Sequence, residues 1–181
     1  MSDSTSIISS VKNWLEKTVI GLELCPFAKS VFDANKIRYT ISDIESTEAL
    51  MLKLHEEFKL LDETPEIETT LVIISRQLND FESFNQTLDF IDDMLEQYGW
   101  SGVFQVASFH PQYQFADTHI DDRENWTNRS PYPIFHILRE SSLGLAIESF
   151  PLIDDLPQQN IKRMNALSAQ VFSQVLLTSR A

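Results

Sequence analysis

The chain has 181 residues, 43% of them hydrophobic and 23% charged, which are ordinary globular proportions at a length that can bury a real core. Fourteen Lys and Arg stand against 27 Asp and Glu, a net charge of −13, and such a surface repels phosphate backbones and argues against a nucleic-acid binder. No apolar run approaches the ~18 residues of a membrane span, and the single cysteine excludes an internal disulfide or a multi-cysteine metal site made by this chain alone.

Ile7, Ile8, Val11, Trp14, Leu15 and Val19 recur at helical spacing, with Gly21 at the usual position of a left-handed helix stop. Cys25-Pro26-Phe27 then opens a short helix toward Phe32. Ile37, Tyr39 and Ile41 alternate with polar residues, a strand period. Ser46 caps the next helix, whose apolar face is Leu50, Met51, Leu54, Phe58 and Leu61, and Thr64-Pro65 breaks it. The run from Thr69 to Ser75 reads as a strand buried on both faces. Asn79 or Asp80 caps a strong helix from Phe81 to Tyr98 that ends at Gly99, and Val103 to Phe109 is a third strand.

Residues 110–130 show no clear period, and uninterrupted loops of this length are often functional. Ser130, with Pro131 behind it, predicts a helix carrying Ile134, Phe135, Ile137 and Leu138. A last helix starts near Pro157 and continues through Val175. Two strand–helix–strand units in series predict an α/β fold: a small, mostly parallel central sheet of three or more strands packed with amphipathic helices. An α+β sandwich is the alternative. With no repeat, linker or low-complexity tract, one domain over residues 1–181 is expected. The first residues carry neither the basic nor the apolar stretch of a secretory leader. A lone thiol suits a reducing compartment, so the cytoplasm is the expected location.

Three segments carry candidate chemistry. Cys25 precedes a proline suited to the first helical position, so it reads as a helix N-cap thiol facing free backbone N–H groups, with Lys29 one turn on. Both features lower a thiol pKa; the plainer reading is a small buried hydrophobe. His110 stands at the C-terminal end of a strand, where open α/β sheets place their ligands, and Pro111 fixes its backbone. Gln105, polar within that strand, points to the same region. The third segment, Asn125 to Pro133 with Asn128 and Arg129 within it, runs into the predicted helix, where His136, Arg139 and Glu140 share one face. Arg129 at that helix start, with Arg139, suits a carboxylate or phosphate. The plainer readings are a strand-end histidine satisfied by a carbonyl and a solvated ionic face. Phosphate loops are absent, since none of the four glycines falls in G-x-G-x-x-G or G-K-[ST] order, and G-x-S-x-G is missing too.

Leu24-Cys25-Pro26-Phe27-Ala28-Lys29, the stretch from Phe104 to Phe115, and Thr127-Asn128-Arg129-Ser130-Pro131-Tyr132-Pro133 resemble a bacterial family described only as a conserved domain of unknown function. The resemblance spans nearly the whole chain and implies that these segments are the family's hallmarks; it implies no activity or cofactor.

The leading functional expectation is an enzyme acting on a small anionic metabolite. Cys25 would be its nucleophile or redox thiol, His110 its general acid or base with His136 as a further catalytic candidate, and Lys29, Gln105, Tyr113, Asn128, Arg129 and Arg139 would hold the substrate. A second is a metal-dependent enzyme using His110 and His136 with Asp117 or Cys25. The third is a binding or regulatory module with Cys25-Pro26 as a redox- or haem-sensitive contact and Tyr113, Phe115, Trp126 and Tyr132 as a partner surface. No cofactor and no oligomeric state can be read from the residues. The composite site requires that Cys25, His110 and Arg129 converge.

Overall fold

A computed structural model of the protein describes residues 4–143 and 155–180. Strands β1 (Ile37–Ser42), β2 (Thr69–Ile74), β3 (Phe104–Phe109) and β4 (Ile134–Arg139) form one sheet in the order β1-β2-β4-β3. Helices α1 (Ser4–Trp14) and α2 (Ala28–Asp33) precede the sheet; α3 (Thr47–Glu63) joins β1 to β2, and α4 (Phe81–Gln97) leads from β2 to β3. Helices α5 (Leu156–Ala166) and α6 (Ala169–Thr178) follow β4. No helix among the described residues is long and apolar enough to cross a membrane.

The α/β class is as expected, but the mostly parallel sheet is not. Only β1 and β2 run parallel; β4 enters between β2 and β3 and is antiparallel to both. The cause is the segment after Ser130, expected as a helix and found as a strand. Ser130 donates its hydroxyl to the Tyr132 carbonyl at 2.6 Å instead of capping N–H groups. The Pro133 carbonyl then accepts from Ile74 N at 2.9 Å, extending the ladder. Short apolar runs do not separate helix from buried strand by period alone. Here Ile134, Phe135 and Ile137 are wholly buried because both neighbours of β4 are strands.

Two smaller expectations also change. The last helix is two helices: Leu167 turns extended, and the Ser168 hydroxyl caps α6 by accepting from Val171 N at 3.3 Å. Gly21 does not stop its helix by a left-handed turn, for its φ is −62°. It follows a π-helical turn, Leu15–Ile20, and a Cβ there would lie 2.3 Å from the Lys17 carbonyl oxygen. The glycine is required by close approach. The caps at Ser46 and Asp80 are as expected, accepting from Ala49 N at 3.2 Å and Ser83 N at 2.9 Å.

Alternation along the strands divides the core in two. Toward α3 and α4 point Val72, Ile74, Phe104, Phe135 and Ile137, which meet Leu50, Leu54, Phe58, Leu61, Phe84 and Ile91. Each wholly buried Leu or Phe contributes roughly 1.5–3 kcal/mol. Glu57 of α3 reaches under this face to Arg38 of β1, whose Nε and Nη2 donate to it at 2.7 and 3.2 Å, and Lys53 adds an ion pair at 2.8 Å. The other face carries Leu71, Ile73 and Ile134, covered by α1, the π turn, α5 and α6.

Candidate functional site

The second face is incompletely filled. A largely apolar cavity of about 180 Å³ lies over β2, β4 and β3, walled by Trp14, Leu15 and Val19 on one side and Phe27, Ala28 and Val31 on the other. Its floor follows from register. His136 of β4 stands between Leu71 of β2 and Ala107 of β3, and the alanine leaves unfilled the space a larger side chain would take. The widened π turn and the six-residue α2 roof this space without closing it. π-helical turns recur at functional sites. The polar lining is Cys25, Glu68, Thr69, His136, Arg139 and Ser142.

Cys25 lines the cavity but is not a helix N-cap. That position belongs to Phe27, and α2 begins at Ala28. Burial pushes the thiol pKa up, against smaller lowering by hydrogen bonds from the backbone at Phe27 and Ala28. The expected lowered pKa is therefore reversed: the N–H groups are in place, but desolvation outweighs them. The loop bearing the thiol is anchored from α5. Asn160 Nδ2 donates to the Leu24 carbonyl at 2.8 Å and Arg163 Nη1 to the Glu23 carbonyl at 2.5 Å. Glu23 itself is in the left-handed region, at φ 52°.

His136 lines the same cavity as Cys25. The Thr69 hydroxyl donates to the Ile137 carbonyl at 2.5 Å, which uses its one proton, so the 2.6 Å contact with His136 Nε2 is a donation from the ring. The neutral ring therefore carries its proton on Nε2 and a lone pair on Nδ1. Nδ1 has no partner among the described residues and is not one of the sealed, unpartnered polar atoms. The ring itself is part of the cavity lining. Burial pushes the imidazole down to about 4, so it is neutral at pH 7. One oxygen of Glu68, another lining residue, is sealed without a hydrogen-bond partner.

His110 does not join them. The ring turns back beneath α4, 5.0 Å from Phe84 and 5.5 Å from Phe81, on the opposite face of the sheet from Cys25. Nε2 lies 2.9 Å from the Leu78 carbonyl, and Nδ1 accepts from Gln112 N at 3.0 Å. Both nitrogens are thus engaged in closing the turn after β3, and burial lowers the ring's pKa. His110 and His136 cannot share a metal from opposite faces, and no group of three potential ligands converges among the described residues.

The expected anion cradle does not assemble either. With β4 a strand, His136 and Arg139 point to opposite faces and Arg129 precedes no helix. Arg129 is buried and donates to the Tyr113 carbonyl at 3.1 Å and the Ile120 carbonyl at 2.7 Å, over the Trp126 ring. Arg139 lines the cavity edge, but its guanidinium closes the C-terminal end of α3, donating to Leu61, Thr64 and Ile67 carbonyls. Lys29 is exposed and pairs with Asp33 at 2.6 Å. Gln105 is exposed on edge strand β3, outside the lining. Asn128 binds the Ser108 carbonyl at 3.3 Å, and Tyr113 packs between Phe81 and Phe115.

Residues 110–130 are thus a cross-braced loop. At its centre is Asn125, whose Oδ1 accepts from Phe115 N at 2.9 Å and Thr118 Oγ1 at 3.0 Å while Nδ2 donates to the His119 carbonyl at 2.8 Å. The aromatic partner surface expected there is not formed, since Trp126 is buried and Tyr113, Phe115 and Tyr132 are half-buried. Sequence reasoning missed Glu68, Thr69, Ala107 and Asn160. Of these only Ala107 left a signal, a small residue within a strand of larger ones. No curated protein and no solved structure matches the chain. The family model described as "Protein of unknown function (DUF1415)" matches residues 6–174, and the chain belongs to that family.

Proposed function

We propose that the protein acts on a small, largely apolar carbonyl compound held in the cavity between the sheet and the N-terminal helices, with Cys25 as nucleophile and His136 as proton acceptor. The observation that carries this reading is that the one thiol and an imidazole with only Nε2 hydrogen-bonded among the described residues line the same cavity. A dry cavity of roughly 150 Å³ accepts benzene, so about 180 Å³ suits a single ring or short alkyl chain with one polar substituent. A neutral thiol and a neutral imidazole add no cation to a largely apolar lining, and the Arg139 guanidinium at its edge is already committed to carbonyls, which favours an apolar ligand over the anion expected at first. As sulfur bonds to the carbonyl carbon, the thiol proton passes to Nδ1, the carbonyl π pair moves to oxygen, and the imidazolium returns the proton to that oxygen. A reduced thiol is needed throughout, which supports a cytoplasmic location.

Protection of Cys25 tests this. Benzaldehyde is expected to slow alkylation of Cys25 at millimolar concentration, while benzoate, of the same size but charged, leaves the rate unchanged. His136→Gln is expected to remove the covalent adduct seen by mass spectrometry without removing noncovalent binding. Equal protection by benzaldehyde and benzoate, or none by either, contradicts the reading.

A further inference from the structure

We propose that the groove between α3 and α4, remote from the cavity, is a docking surface for a basic amphipathic helix of a partner protein. The groove measures about 290 Å³ and is lined by Leu52 and His55 of α3, Phe90 and Asp93 of α4, and Tyr98. Leu52, Phe90 and Tyr98 are 68%, 53% and 52% exposed, large apolar surface gathered in one groove and left in water. The Tyr98 ring is held in place by His55 at 4.3 Å and Trp100 at 5.4 Å, so its contact surface is ordered in advance.

Charge selects the occupant. Helix α4 carries Glu82, Asp89, Asp92, Asp93 and Glu96 and neither Lys nor Arg. None of these carboxylates makes an ion pair among the described residues, whereas Lys53 and Lys59 of α3 are engaged with Glu57 and Glu63. An apolar groove with the carboxylates of Glu48 and Asp93 in its lining, on a helix α4 that carries no cation, fits a helix with apolar residues on one face and Lys or Arg beside them. A second copy would bring its own net charge of −13 against the same rim, and an anionic lipid surface would be repelled.

The test uses a synthetic amphipathic peptide with leucines on one helical face and lysines on the other, and its counterpart with glutamates in place of the lysines, titrated by fluorescence anisotropy. The lysine peptide is expected to bind at least about tenfold more tightly than the glutamate peptide. Phe90→Ser and Asp93→Lys should each weaken it about tenfold, and Glu16→Lys, the same charge change outside the groove lining, less than about twofold. All three positions are exposed, so folding is checked by an unchanged unfolding midpoint. Absence of lysine-peptide binding overturns the proposal, as does an equal loss in Asp93→Lys and Glu16→Lys. So does a dimer that Phe90→Ser dissolves, which makes a second copy the occupant, or binding to phosphatidylserine vesicles through the groove.

Discussion

The two faces of the sheet are built from the same strands and end in different states. Toward α3 and α4, two 17-residue helices lay regular apolar stripes on Val72, Phe135 and Ile137, and the packing closes. Toward the N-terminus, an 11-residue helix, a π turn and a six-residue helix cover Leu71, His136 and Ala107, and a cavity is left. Long helices with good caps seal a sheet; short, interrupted ones leave space, and here a thiol and an imidazole fill part of the lining. One face serves stability and the other is available for a ligand.

That contrast breaks first at its closed side. Phe84 is wholly buried and stacked on Phe135 at 4.6 Å, so Phe84→Ala is expected to lower unfolding free energy by about 3–5 kcal/mol in urea titration. Arg38→Met comes next. Glu57 is raised by burial but held below the usual carboxylate range by the hydrogen bonds from Arg38 and Lys53 together. Losing the half-exposed Arg38 leaves a buried carboxylate with one partner, a loss of about 2 kcal/mol at pH 7.

Acidification probes the open side. Unfolded His136 takes up a proton as pH falls through ~6.5, while the folded protein resists until about 4. Between those values the unfolded chain binds more protons, so stability falls as pH falls and rises as pH rises. The lowered pKa of His110 acts in the same direction. His136→Gln should flatten this slope by ~2 kcal/mol across the window, read from urea midpoints at a series of pH values. The smallest expected effect on stability is Ala107→Leu, within about 1 kcal/mol of the parent because the added carbons enter empty volume.

Much of the fold could be read from local pattern. Ser46 and Asp80 declare their helices, and the Thr69–Ile74 strand is wholly buried as its apolar run implies. The failure at Ser130 was consequential, because a helix there would place His136 and Arg139 on one face and Arg129 at its start. As a strand, the same residues separate. Cys25 and His136 were identifiable as reactive residue types, but their sharing of one cavity depends on β4 inserting between β2 and β3, a long-range pairing that no short window encodes. His110 and Arg129 stood out for a different reason: they brace residues 110–130, and polar bracing of a long loop has the same residue signature as a binding site.

The most direct measurement is the rate of Cys25 alkylation by N-ethylmaleimide, a small apolar reagent, in the parent chain and in Ala107→Leu. An open cavity over Ala107 through which the thiol is reached predicts a rate at least about tenfold lower in the variant, at unchanged stability. Equal rates in the two proteins would show that Cys25 is reached from elsewhere, and would contradict the shared site of Cys25 and His136.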